Sequence, residues 1–309
     1  MQARTAAKTP TASPQALVKR PAPAGRVPFR RLGLYMFGGV VIAFLLLPTM
    51  LIVPMSFGPE KYLEFPPRAL SLRWYLEYFR DPEWIRPTLF SFRIALLTAG
   101  AATTLGTAAA LALVRGRVPG REWVNAAILA PMIVPTIIKA IAVYAVFVRL
   151  HLAGTTAGFV LAHTVLAIPY VVLTVSAALY RFDPSLEMAA LSLGASRLKA
   201  VLRVTLPLVL PAVLTGMAFA FITSFDEAVV SFFISGVRDK TLPRKLFEDI
   251  DFDVTPVVAA VATLLTALSF VALGSIELAR LRAAARAERT PVKEAGRSTS
   301  QGTQRGHQR

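Results

Sequence analysis

Residues 181–207 read RFDPSLEMAALSLGASRLKAVLRVTLP, between two long apolar runs. Asp183 fits the N-cap of a helix, because its side chain can accept a backbone N–H that the first turn leaves unpaired. Pro184 fits the first helical position, where its missing N–H costs nothing. Leu186, Ala189, Ala190 and Leu193 then recur at helical spacing on one side. Gly194 can take the left-handed conformation that closes a helix, and Ser196 can cap another. The stretch predicts a helix over 184–193, a glycine turn and a second helix. Small Ala189 and Ala190 would let another surface come close.

The rest of the chain says what this element is attached to. Of 309 residues, 55% are hydrophobic and only 17% charged, with a mean hydropathy of +0.56. Soluble domains carry about a quarter charged residues, so the apolar excess asks for lipid as a solvent. A helix needs about 20 apolar residues to cross a hydrocarbon layer of roughly 30 Å. Six segments qualify: Leu34–Phe57, Ser91–Val114, Trp123–Leu150, Ala157–Tyr180, Leu208–Ile234 and Val257–Glu277. None alternates with the period of two that a barrel strand requires. The fold class is therefore an all-α membrane protein with six transmembrane helices.

Charge sets the orientation. The net charge is +16, but it is concentrated at the ends rather than on an aromatic-interleaved face, which excludes nucleic acid as a partner. Residues 1–33 carry seven Lys/Arg and no acid, and residues 278–309 carry eight against two acids. With both ends inside, the inner segments 1–33, 115–122, 181–207 and 278–309 hold 22 Lys/Arg against 5 acids. The outer segments 58–90, 151–156 and 235–256 hold 9 against 10. Basic residues favour the cytoplasmic side, so the expected topology is N-in/C-in. The chain divides into a disordered basic cytoplasmic arm over 1–33, a transmembrane domain over 34–277 and a basic cytoplasmic tail over 278–309. The arm is no signal peptide, since the first apolar run starts only at Leu34 and is too long for a signal core. In the outer segment, the aromatic stretch Ser71–Phe79 predicts a short helix lying at the outer surface.

The 181–207 segment resembles the "EAA" loop of permease subunits of binding-protein-dependent ABC importers. That pattern runs E-A-A, three residues, Gly, nine residues, then I-x-L-P. Ala189, Ala190, Gly194, Val204, Leu206 and Pro207 fall at those positions. Met188 stands where the pattern has Glu, with Glu187 one residue earlier. Other stretches resemble the polyamine (spermidine/putrescine) type of permease: Phe65-Pro66-Pro67, Leu70-Ser71-Leu72-Arg73-Trp74-Tyr75, Ser224-Phe225-Asp226-Glu227 and Thr241-Leu242-Pro243. The resemblance covers nearly everything from Leu34 to Glu277. It implies a type I importer permease fold in the bacterial inner membrane, with the 181–207 loop coupling to a cytoplasmic ATPase through Glu187, Met188, Ala189, Ala190, Gly194, Leu206 and Pro207. The implied partners are two ATPase copies, a second permease chain and a periplasmic substrate-binding protein. ATP would be bound by the ATPase: the chain contains no Gly-x-x-x-x-Gly-Lys-Ser/Thr phosphate loop.

Four ionisable side chains fall well inside the expected spans: Lys139, His163, Asp226 and Glu227. Buried charges are expensive in lipid and usually face a bundle interior or a pathway. At about 1.5 Å per residue, Lys139 would sit roughly 24 Å up span three, Asp226 roughly 27 Å up span five and His163 roughly 9 Å below the outer end of span four. All would belong to an outer polar layer. Asp226 or Glu227 would present negative charge to a cationic substrate; the alternative is an ion pair between Lys139 and one of the two carboxylates. Adjacent helical residues point about 100° apart, so only one of the two would face the pathway.

No cysteine is present, which excludes disulfides and thiolate metal sites, and His151, His163 and His307 have no metal-ligand spacing. No nucleophile–base pair suggests an enzyme. Two other transporter readings stand beside an ATP-driven polyamine importer. One is the same machine with another small solute. The other is a proton-coupled carrier using His163 and Asp226 as a relay.

Overall fold

The computed structural model describes residues 29–236, 239–252 and 255–288. The chain falls into two compact units, Met1–Met50 and Leu51–Arg309. The described part of the first belongs to helix α1, Phe29–Met55, whose last turn enters the second unit. Its Tyr35, Phe37 and Phe44 are all exposed. A helix that is apolar on every side is made for lipid or for other helices. It begins at Phe29, earlier than the expected start at Leu34. Most of the basic arm lies outside the described residues.

In the second unit follow α2 (Arg73–Arg80), α3 (Pro82–Arg115), α4 (Arg121–Ile133), α5 (Thr136–Arg149), α6 (Thr156–Arg181), α7 (Pro184–Ser192) and α8 (Arg197–Ala200). A π-helical turn, Val201–Thr205, joins α8 to α9 (Leu206–Phe225); α10 (Val229–Ile234), α11 (Leu242–Phe252) and α12 (Pro256–Glu288) complete the order. Helices α1, α3, α6 and the continuous α8–α9 rod are each long and apolar enough to cross a membrane. The bent α4–α5 pair makes a fifth if the two are taken as one span, and α12 opens with a shorter apolar stretch, Pro256–Val271, where the sixth span is expected. The architecture is the expected all-α one. Beyond Glu288 the tail lies outside the described residues.

Beyond shifts at the ends of α1 and α12, three further segments differ from their sequence expectation. Span three is not one straight helix: α4 and α5 meet at 106°. Pro135 has no N–H to continue α4, and Val134 before it takes an extended conformation, with ψ 131°. Span five does not run unbroken to Ile234: α9 ends at Phe225, and Asp226–Ala228 interrupt it before α10. Span two starts at Pro82 rather than Ser91, because Asp81 caps it by accepting the Glu83 N–H at 2.8 Å.

The short outer helix α2 forms where expected. Two of its aromatic residues, however, face inward and only Phe79 is exposed. Trp74 and Tyr78 are buried against Trp84, Leu242, Val257 and Val261. The Trp74 Nε1–H donates to the Gly58 carbonyl at 2.7 Å, and the Tyr78 hydroxyl pairs with Thr88 Oγ1 at 2.9 Å. Buried aromatic rings with polar tips need such partners.

The core is built by α3, α6 and α9, which pack along one another with small residues at the seams: Ala99, Ala102 and Ala110, then Ala167, Val171 and Val175, then Val209, Val213 and Ala220. Between apolar helices in lipid, close van der Waals fit replaces the hydrophobic effect as the cohesive force, and small residues permit it. A Cβ at Gly106 would stand 2.7 Å from the Val171 Cβ. One at Gly216 would stand 2.6 Å from Thr174 Oγ1 and 3.1 Å from the Val171 Cα. Both glycines are there because α6 comes too near for any side chain.

Candidate functional site

The segment joining α6 to α9 forms as its sequence predicts. Asp183 accepts the Ser185 N–H at 2.9 Å, and that bond holds its carboxyl below the ordinary carboxylate range. Helix α7 runs to Ser192, and Gly194 takes φ +84°, where an L side chain would be strained. The turn is closed by Gly194 N–H to the Leu191 carbonyl at 3.0 Å and Ala195 N–H to the Ala190 carbonyl at 3.1 Å. Ser196 then caps α8 by accepting the Lys199 N–H at 3.4 Å.

The second helix does not stop before the membrane; it is the beginning of the α9 span. Pro207 lies at the start of α9 and has no N–H to give, and its ring would crowd the carbonyl four residues back. The preceding turn widens to a π turn, closed by Leu206 N–H to the Val201 carbonyl. Leu206 and Pro207 thus mark where a wide turn becomes a regular spanning helix.

Helix α7 has two faces. Leu186, Met188, Ala189 and Leu193 are exposed, Met188 to 65% and Leu193 to 89%, while Ala190 is partly covered. Glu187 turns the other way. Its Oε1 accepts from Thr205 Oγ1 at 2.5 Å and lies 3.7 Å from Arg115 Nε. Arg115 ends α3 and also stacks on the Phe182 ring, 5.1 Å from its centroid. The free surface of α7 is therefore mostly apolar, with Ser185 and Ser192 among the exposed side chains, and its carboxylate faces the membrane domain. Thr205 is fully buried.

The four expected polar side chains of the spans do not gather into one cluster of bonds. Lys139 donates to the Pro131 carbonyl at 2.8 Å. Fully buried His163 joins three helices: its Nδ1 pairs with Ser224 Oγ at 2.8 Å and its Nε2 with Ser231 Oγ at 3.2 Å. Glu227 Oε1 accepts the Val230 N–H at 2.9 Å, capping α10. Asp226 is exposed where α9 breaks. The expected Lys139–carboxylate pair is not among the ion pairs of the described residues. Arg115, Thr205, Ser224 and Ser231 carry these arrangements, yet nothing in their local sequence distinguishes them from orientation charge or ordinary helix polarity.

On the other side of the bundle, α11 carries charged pairs: Lys240 and Arg244 bond Glu248 at 2.6 and 2.9 Å, and Lys245 bonds Asp249 at 2.7 Å. Lys245 also stands over the Trp84 ring at 5.1 Å. Burial pushes the Glu248 carboxyl up, but the bonds from Lys240 and Arg244 outweigh it and leave it below its ordinary value.

The chain is similar to known proteins in both sequence and fold. The chain is 36% identical over 234 residues to a spermidine/putrescine transport system permease protein, PotC, of Haemophilus influenzae, an alignment covering 74% of this chain and 89% of the relative. It is 35% identical over 262 residues to the putrescine transport system permease protein PotI of Escherichia coli, covering 82% and 92%. A crystal structure of a bacterial ABC transporter involved in alginate import shares the fold, with TM-score 0.67 at 16% identity over 82% of this chain and 99% of that one. Residues 102–282, which include the α7 turn and the π turn, match the family described as "Binding-protein-dependent transport system inner membrane component". The chain belongs to this family of inner membrane transport components.

Proposed function

We propose that the chain is the permease subunit of an ATP-driven importer that moves a small polycationic amine, of the spermidine or putrescine kind, into the cell. The observation that carries this reading is the two-faced α7. Its mostly apolar outer surface of Leu186, Met188 and Ala189, continued by Leu193 just past its end, suits a groove on another protein, while Glu187 fastens it to the membrane domain. The names of the relatives supply the cargo. In this reading α7 seats in one copy of a cytoplasmic ATPase dimer, which alone binds ATP. A second, homologous permease chain completes the pathway, and a periplasmic binding protein delivers the substrate on the opposite side. Both chain ends are cytoplasmic.

Asp226 is the pathway carboxylate. Glu227 is engaged in capping α10, whereas Asp226 is exposed at the break of α9. A cationic amine passing an interrupted helix would meet the Asp226 side chain. The proton-relay alternative fits less well, because His163 bonds Ser224 and Ser231 and not Asp226.

The test is uptake of labelled putrescine and spermidine by proteoliposomes holding the permease pair, its ATPase and the loaded binding protein. Uptake that requires ATP and falls at least about tenfold in Asp226→Asn, but little in Glu227→Gln, supports the reading. Uptake without the ATPase, or no polyamine uptake alongside active transport of another solute, overturns it.

A further inference from the structure

One oxygen of Glu187 has two claimants. Thr205 Oγ1 donates to Oε1 at 2.5 Å, while Arg115 Nε stands 3.7 Å from the same atom. The second distance is within ion-pair range and outside hydrogen-bond range. Arg115 Nε and Nη2 are both buried and without any hydrogen-bond partner. A buried guanidinium normally has its donors satisfied, so these two lack an acceptor in this conformation. The nearby carboxylate would become that acceptor after a shift of roughly 1 Å, because charge-assisted bonds close at about 2.7–2.9 Å.

The two claimants belong to different helices. Thr205 ends the π turn that leads into α9, and Arg115 is the last residue of α3. π turns inside helices are frequent at functional sites, and this one adjoins the Pro207 start of α9. Glu187 itself sits on α7, whose other face is free. A carboxylate oxygen can accept two donors, so the two are not exclusive in themselves. A small displacement of α7 away from the π turn and towards the end of α3 would nonetheless release one helix and engage the other.

We propose that Glu187 is passed from Thr205 to Arg115 during the transport cycle, so that α7 is tied to α9 in one state and to α3 in the other. This rests on the reading of α7 as the contact with an ATPase. Arg115 and Thr205 are then positioning residues: neither touches substrate or nucleotide. They set which spanning helix follows the motion of α7. The hand-over involves no covalent step and no net proton transfer, only exchange of a hydroxyl donor for a guanidinium donor at one carboxylate oxygen.

The experiment uses the reconstituted importer and reads solute moved per ATP hydrolysed, together with copurification of the ATPase and thermal stability of the complex. Arg115→Met removes the second seat and two buried unpartnered donors, together with the cation–π contact to Phe182, whose ring the methionine side chain can still cover. It should copurify with the ATPase and unfold no earlier than the parent, yet move at least about threefold less solute per ATP. Thr205→Val removes the first seat and should be similarly uncoupled, and Thr205→Ser, which keeps the hydroxyl, should restore the ratio. Arg115→Met that transports with the parental ratio overturns the hand-over, leaving Thr205 as a static tie. A loss explained wholly by lower complex stability in both variants overturns it as well. Failure of the unmodified chain to copurify with any ATPase instead removes the underlying reading, and the hand-over with it.

Discussion

Lys139 Nζ donates to the carbonyl of Pro131, eight residues back along the chain, at 2.8 Å. In a regular helix that carbonyl would receive the N–H of the residue four positions on, which here is Pro135 and has none. The ammonium supplies the missing donor at the point where α4 and α5 meet at 106°. Lys139→Met should therefore cost about 1–3 kcal/mol, the usual penalty of an orphaned polar group away from water. Pro135→Ala gives the backbone its own donor, so in that background the same change should cost much less. Thermal unfolding of the four proteins in detergent forms a double-mutant cycle, and additive losses would show that the two positions are not coupled.

Close packing at Gly216 gives a second expectation. A methyl there would lie 2.6 Å from Thr174 Oγ1 and 3.1 Å from backbone at Val171. The threonine hydroxyl is also fixed, donating to the carbonyls of Tyr170 and Val171 at 2.9 and 3.0 Å. Gly216→Ala should destabilise by about 1–3 kcal/mol through overpacking. Gly100, with open space around its Cβ position, is the control: alanine there should be neutral or slightly stabilising. Membrane abundance and thermal unfolding of the two variants check the contrast.

The ion group of α11 gives stability a dependence on pH. Burial raises the Glu248 carboxyl, the bonds from Lys240 and Arg244 lower it, and the net direction is down from the ordinary value of 4.5. A depressed carboxyl contributes stability that is complete above its unfolded value and is lost as the pH falls through its folded one. Protection of α11 from hydrogen exchange should accordingly be flat near neutrality and fall in the acid range below 4.5. In Glu248→Gln that acid-range loss should shrink, from a lower starting level. An undiminished acid-range loss in the variant would assign the effect to other carboxyls.

The caps of α7 and α8 were legible because Asp183, Gly194 and Ser196 act on backbone within three residues of themselves. The spanning segments were legible because apolar length is a property of each segment alone. The end of α9 was not. Neither Gly nor Pro occurs at residues 226–228, and the break is bridged by His163, which holds Ser224 on one side and Ser231 on the other. Those partners are 61 and 68 positions from it. The inward direction of Glu187 was equally hidden, since it depends on Arg115 and Thr205 meeting it through the fold. Pro135 accounts for a break in span three, but not for its angle, which tertiary packing decides.

Val171 meets two glycines at once, Gly106 of α3 and Gly216 of α9. It is the spacer that gauges both gaps, so its volume cannot drift independently. Isoleucine would press one added methylene into a seam with no slack, and alanine would remove the Cγ1 that faces both glycines. A larger side chain at 171 would have no smaller residue to trade against on either flanking helix, since both neighbours are already glycine.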